Sequence, residues 1–417
     1  MGRTNMFETV RNERGVALPM ALITLVVLTT LMLAFAVLSQ TEPVIAANQL
    51  RVSQARAQAE SGFEYAMWAL TAGNVAAPPA GTIANPMPSS PPAAPFDGSV
   101  FKSNGDTGGF LVTVINDPAG DPDVRQITSI GWTPTNNNVD THAKAHRMIQ
   151  AKVVGIPNIA GRAPCALCVK GELNLGGNAA VNGTNTDPAC GANNKWGTMT
   201  EGRTTTNGNP SVTGGAGGMS QNQGSTPFNG FLFKDGVLDA LKDLARRNGT
   251  YFGPGFSGNV NSSGKAVAGT YTGSVTFNSS NRVANGVVFI DTTDGVNIDP
   301  SGTNTNTLAN LDIHGNPFLA GDFQGYIIIN GSLQISGNMR IDGLVYAVND
   351  FSYNGTGSGG IYGLAVSANF RDTSSTSIDS DSGGNSRVTF NCSNVSNPPF
   401  LGHPFVLVKG TYRELSD

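Results

Sequence analysis

Cys165-Ala-Leu-Cys168 sets two thiols at the C-x-x-C spacing used by thiol–disulfide enzymes. That chemistry needs the pair at a helix N-terminus, where the dipole lowers the thiol pKa. Here the flanking CALCVKGELNL alternates like a strand, so redox catalysis is not the expectation. A zinc centre would need two further ligands, and Cys190 and Cys392 make only a loose set. Four cysteines are an even set, and in an oxidising compartment they predict one or two structural disulfides, with connectivity open. Asp291, Asp294 and Asp299 in DTTDGVNIDPSG, and Asp379 with Asp381 in SIDSDSGG, carry the oxygens that Ca²⁺ takes. Neither stretch has EF-hand spacing, so they read as Asx-turn residues at chain corners. His142 and His146 stand four apart, which suits metal binding on a helix, but their surroundings read as strand. There is no G-x-S-x-G, H-E-x-x-H or Walker motif, and no carboxylate pair repeats on one face as glycosidic chemistry would require. The expectation is a chain without catalytic residues, metal or cofactor.

Composition points the same way. The net charge is −4 and no Lys/Arg clusters are interleaved with aromatics, so nucleic acid is not an expected partner. Charged residues are 13%, against roughly 25% in ordinary domains, and there are 53 glycines. Low charge, many Gly, Asn, Thr and Ser, and short apolar runs describe a β-rich protein with many turns.

What must position these residues begins with the N-terminus. Gly15–Leu38 runs 24 residues without a charge, enough to cross a hydrocarbon layer of about 30 Å. Arg3, Arg11 and Arg14 precede it, and no Lys or Arg follows before Arg51. The positive-inside rule then puts residue 1 in the cytoplasm and the bulk of the chain outside, a single-pass inner-membrane protein with a periplasmic C-terminal part. A cleaved secretory signal would have a shorter apolar core ending at a small-residue site.

Glu13-Arg14-Gly15-Val16-Ala17-Leu18, running straight into the apolar stretch, resembles a prepilin leader cut between Gly15 and Val16. Further on, Ala55-Arg56-Ala57-Gln58-Ala59-Glu60-Ser61-Gly62-Phe63-Glu64-Tyr65-Ala66 is similar to the A-x-x-A-E-x-G-x-E-x-A stretch of the PilX family. Those are type IV pilus assembly proteins related to minor pilins, and the resemblance covers roughly residues 10–72. It implies a prepilin peptidase and other pilins as partners, with entry into a pilus or a type II secretion-like filament. Pro19 fits the processed chain: a helical proline clashes with the carbonyl four residues back, here Gly15, and cleavage removes it. Type IV pilins usually carry Glu at the fifth mature position, where the resemblance implies pairing with a neighbour's N-terminal ammonium. Here that position is Met20. A charge at the bilayer centre costs about 2.5–3.5 kcal/mol, so a subunit without a tipward neighbour can dispense with it. This motivates a place at or near a filament tip, with a poorly polymerising relative of the pilins as the alternative.

Val52, Ala55, Ala59, Phe63, Ala66 and Leu70 continue an apolar stripe at helical spacing, with Gln54, Arg56, Gln58, Glu60 and Glu64 on the polar face. The expected helix, 16–72, has a kink at Pro43. Residues 73–100, rich in Ala, Pro and Gly, read as an extended linker or long loop. Strand patterns near 110–116, 124–132 and 147–154 form a small antiparallel set within 101–157. In 158–417 the chain resembles itself: LCVKGELNLGGN (167–178) matches IIINGSLQISGN (327–338). Apolar runs opened by Gly286, Gly325, Gly343 and Gly363 end at Asp291, Asn330, Asn349 and Asn369, the last steps near 20 residues. A strand-turn unit at that period marks a β-solenoid, whose stacked rungs share one core, with Asn and Gly at corners supplying positive φ. Asp235–Arg247 reads as an amphipathic helix that caps or buttresses the stack. The expected fold is therefore α+β: a long pilin-like helix, then a mainly β head formed as an irregular parallel β-helix, with a β-sandwich as the alternative. The head is suited to priming assembly or to adhesion. A membrane-anchored β-helix that binds or cleaves envelope polysaccharide is the alternative role.

Overall fold

In the computed structural model the described residues are 17–74, 78–135, 144–191, 193–215, 217–298, 308–371, 379–396 and 405–415. A single helix, Ala17–Gly73, occupies 57 residues, about 85 Å at 1.5 Å per residue. Strong helix formers (Ala, Leu, Met) dominate its first half, and the helix runs on through Pro43. It stops at Gly73, where an added Cβ would overlap the carbonyl oxygen of Ile83.

The second half of the helix lies on an antiparallel sheet. Gly109–Asn116, Val124–Thr133 and Ala145–Gly155 pair in sequence order, with Lys102–Ser103 at one edge. Burial alternates strictly along Val124–Thr133, as a sheet with one covered face requires. Val112, Val114, Ile127, Ile149, Ala151 and Val153 meet Ala59, Phe63, Ala66 and Leu70 in one core. Burying a side chain the size of Phe63 or Leu70 is worth about 1.5–3 kcal/mol. Residues 78–100 form no helix or strand, yet Ile83 and Phe96 are buried in this same core. The far edge is unexpected: Phe405–Leu407 and Arg413–Leu415, grouped by sequence with the repeat region, both pair with Ala145–Gly155. The chain leaves this stem and comes back to it.

Between those passages lie two sheets of parallel strands. One stacks Ser274–Phe277, Ala309–His314, Gly331–Gly337, Phe351–Gly355, Ser380–Gly384, Leu173–Gly177 and Thr204–Gly208. The other stacks Tyr251–Phe252, Gly286–Ile290, Phe323–Ile329, Arg340–Ala347 and Gly360–Ser367. On Gly360–Ser367 rest both Cys165–Val169 and Arg387–Phe390, followed by Trp196–Thr200 and Ala180–Asn182. From Ser274 to Phe390, successive strands alternate between the two sheets. The chain enters the stack at its middle, fills one end with residues 165–220, crosses over, and climbs back from 251 to 390.

The internal likeness is a likeness of register. Ile327, Val345, Ala365 and Leu167 stand in one column, and Leu333, Phe351, Ser380 and Leu173 in another. Gly286, Gly325, Gly343 and Gly363 form a third, with φ of 125°, 139°, 151° and 157°. The glycines opening the runs thus take positive φ inside the strands. Of the residues ending the runs, only Asn369 does, at 40°; Asp291, Asn330 and Asn349 are instead wholly buried. These three serve as hydrogen-bonding groups in the interior and are not left-handed corners.

The helix Asp235–Asn248 extends one residue past the expected end and closes on Gly249 at φ 71°. It packs Val237, Leu238 and Leu241 against Tyr251–Phe252 and Gly286–Ile290. Every residue of Gly286–Ile290 is buried, which is why that run reads as continuously apolar.

Candidate functional site

The exposed half of the long helix is the first candidate. Leu18, Met20, Leu22, Ile23, Leu25, Leu31, Met32, Leu33 and Phe35 are all exposed, and from Ala17 to Thr41 there is no charge. It is the one described helix long and apolar enough to cross a membrane. The threonines of this half pair with carbonyls of the same helix. Thr24 Oγ1 donates to the Met20 carbonyl at 2.6 Å, Thr29 to Leu25 at 2.9 Å, and Thr30 to Val27 at 2.9 Å. A lipid environment demands such internal pairing. Gly15 and Val16, the expected cleavage pair, lie outside the described residues. Pro19 sits in the first turn, where its missing N–H has no helical partner to lose. Met20 is 66% exposed on this apolar surface.

The residues of the A-x-x-A-E-x-G stretch sit where the helix meets the sheet. Ala55, Ala59, Gly62, Ala66 and Ala69 are buried, a row of small residues that lets two backbones approach closely. Gly131 on the facing strand completes the fit, since an added Cβ would overlap the Ala55 carbonyl and the Ala59 amide. Gly131→Leu is expected to lift the helix from the sheet and cost about 3 kcal/mol or more, read as a lowered urea midpoint. Gln58 departs from expectation. It is buried, donating to Thr107 Oγ1 at 3.3 Å and accepting from Asn104 Nδ2 at 3.2 Å. Arg56 and Glu60 remain exposed and paired at 3.1 Å, and Arg56 also reaches Glu414 at 3.8 Å on the returning C-terminal strand. Glu414 first, then Glu60, hold the Arg56 guanidinium above its ordinary pKa. Tyr65 carries stacked Phe96 at 5.2 Å and the Lys102 ammonium 3.6 Å over its ring.

All four cysteines are joined: Cys165 to Cys168, and Cys190 to Cys392. The C-x-x-C pair lies in the buried strand Cys165–Val169, not at a helix start. The second bridge ties the turn Pro188–Cys190 to the helix Cys392–Ser396, across the level where the two passages of the chain meet.

The aspartates separate by environment. Asp294 Oδ1 accepts from the Val296 amide, an Asx turn. Asp379 accepts from the Glu172 amide and Asp381 from Asn174 Nδ2, both at 2.7 Å. Asp299 lies outside the described residues. Asp291 was expected as an Asx-turn residue at a chain corner and is wholly buried, accepting from Tyr251 Oη at 2.8 Å. Burial first, and then the Asp291 charge, keep the Tyr251 hydroxyl protonated far beyond its ordinary range. Among the described residues no three His, Cys, Asp or Glu converge as a metal site. His142 lies outside the described residues, and His146 stacks on Trp132 at 4.6 Å. On the outer face of the parallel sheet that begins with Ser274–Phe277, Thr276, Asp312, Gln334, Ser352 and Asp381 align one per strand. They line an open trough of about 510 Å³.

No protein-family model matches the chain, and no curated protein matches it. Among solved structures it pairs with the competence-associated pilin ComZ from Thermus thermophilus at 11% identity and a TM-score of 0.24. That alignment covers 88% of this chain and 98% of the other. A likeness this low carries no argument about fold or role.

Proposed function

We propose that this chain is a non-enzymatic, PilX-like component of a type IV pilus or type II secretion-like filament, of minor-pilin type and placed at or near the tip. The observation that carries the reading is the two-part helix: a bare, uncharged half followed by a half seated on an antiparallel sheet through small residues. A bare half of this kind suits lipid before assembly and a bundle of like helices after it. Met20 favours the tip, because a subunit with no neighbour beyond it has nothing to pair with a buried carboxylate. On this reading residues 1–15 are a cytoplasmic leader removed by a prepilin peptidase, and the head is an irregular parallel β-helix held outside the inner membrane for priming or adhesion.

The test is the mature N-terminus. Mass spectrometry of the protein from its native membranes is expected to find Val16 first, and Gly15→Leu is expected to leave the precursor intact and absent from sheared filaments. An intact Met1 in the wild-type protein would refute the proposal. It would favour a second reading, a membrane-anchored head that takes envelope polysaccharide without entering a filament. The support for that reading is the polar trough, which offers one hydrogen-bonding side chain per strand at spacings of about 4.8 Å.

A further inference from the structure

Lys242, Asp291 and Asn330 come from three separate elements and meet in the interior, with 2%, 0% and 0% of their surfaces exposed. Lys242 Nζ lies 3.0 Å from Asp291 Oδ2, and Asn330 Nδ2 donates to Asp291 Oδ1 at 2.9 Å. One carboxylate thus holds an amine on one oxygen and a carboxamide on the other. The remaining contacts complete the set. Lys242 donates to the Gly295 carbonyl at 2.8 Å and stands 5.5 Å over the Phe289 ring, with Asp239 Oδ1 at 4.0 Å. Asp291 also accepts from Tyr251 Oη, from the Thr292 amide and, at 3.5 Å, from Thr292 Oγ1. Asn330 Nδ2 reaches the Val296 carbonyl and Asn297 Oδ1, both at 3.3 Å. The Ile298 amide donates to Asn330 Oδ1 at 3.3 Å.

An ion pair alone is a costly use of such a position, since desolvation offsets most of its Coulomb energy. The arrangement does, however, hold every group an acyl transfer needs. It has a nucleophilic amine, a carboxylate to relay protons, a carboxamide carbon as electrophile, and an N–H on the oxygen where negative charge develops. The burial of all three groups limits water as a competing acceptor for the acyl group.

We propose that Lys242 and Asn330 become joined by an intramolecular isopeptide bond, with Asp291 as its proton relay. Asp291 takes a proton from the Lys242 ammonium, and the freed electron pair on Nζ attacks Asn330 Cγ. Negative charge moves to Oδ1, where the Ile298 N–H meets it. Asp291 then delivers a proton to Nδ2 and accepts the second Nζ proton as the Cγ–Nδ2 bond breaks. One amide forms, one breaks, and the nitrogen of Asn330 leaves as ammonia; no oxidant or further reactant enters. The bond would fix the helix Asp235–Asn248 to the end of the strand Phe323–Ile329, closing residues 242–330 into a covalent ring.

Trypsin decides the matter on the full-length, detergent-solubilised protein after disulfide reduction. Cleavage sites at Arg282 and Arg340 bracket a peptide with no internal Lys or Arg that contains both Asp291 and Asn330. The expected product is that peptide branched onto Asp235–Arg246, uncut after Lys242 and lighter than the sum of the two linear peptides by one ammonia, with fragment ions locating the branch at Asn330. Loss of water with the branch at Asp291 would overturn the assignment, and so would two unmodified linear peptides. Asp291→Asn and Lys242→Met are expected to abolish the branched product completely. The wild-type digest is decisive even if these variants fold poorly, and it does not depend on whether the chain enters a filament.

Discussion

Replacing Gly343 with valine is expected to unfold the head. Gly343 lies third in the column of Gly286, Gly325, Gly343 and Gly363, at φ 151°, and an added Cβ would overlap the Gly325 carbonyl oxygen. The obstacle is backbone hydrogen-bonded to the next strand, so it cannot swing aside as a flexible side chain would. Strain and overpacking of this kind belong to the rare substitutions costing more than about 4–5 kcal/mol. Whole domains are stable by only about 5–15 kcal/mol. The measurement is thermal unfolding by circular dichroism with limited proteolysis of the solubilised protein. Gly321→Ala is the control: its φ is 87°, yet nothing stands near an added Cβ. It is expected to cost about 1–2 kcal/mol. If Gly343→Val melted with that control, the glycine column would have no steric role.

The second large effect is expected from the Cys190–Cys392 bridge. It spans 202 residues of sequence, whereas Cys165–Cys168 spans three. A cross-link stabilises chiefly by restricting the unfolded chain, and for loops of a hundred residues or more the chain-entropy estimate is roughly 5 kcal/mol. Cys190→Ser with Cys392→Ser is therefore expected to lower the unfolding free energy by about 3–5 kcal/mol, measured as a fall in the urea midpoint with a steeper slope, because the freed unfolded chain is less compact. Cys165→Ala with Cys168→Ala is expected to cost less, because so short a loop hardly restricts the unfolded chain. Equal losses from the two pairs would contradict the loop-length argument.

Where a pattern is carried by neighbours in sequence, it was legible. The stripe from Ala55 to Leu70 predicted the face that meets the sheet, since helical spacing alone decides which side chains share a side. Runs bounded by glycine predicted the strands of 286–369, and their common spacing predicted that these would line up. The helix from Asp235 was visible for the same reason. What escaped the sequence depends on partners far apart along the chain. Nothing local tells Cys165–Val169 that it rests on Gly360–Ser367, or Phe405–Leu407 that it pairs with Ala145–Gly155. Gln58 looked like a residue of the polar face because its partners, Asn104 and Thr107, come from a loop about 50 residues later. Asp291 looked like a corner residue because turn chemistry and buried network chemistry use the same side chain. Only the arrival of Lys242 and Asn330 distinguishes them. The strand that carries the C-x-x-C motif was legible from its flanks, but the pairing of Cys190 with Cys392 had no signal at all.

The entry of the chain at the middle of the stack sets an order of events during synthesis. Cys165–Val169 emerges almost two hundred residues before Gly360–Ser367, the strand that covers one of its edges. Until then that edge is a row of open N–H and C=O groups, the feature by which strands recruit foreign strands. A nascent chain therefore carries an unfinished seam through almost two hundred residues of its synthesis, and a strand made late is the one that seals it.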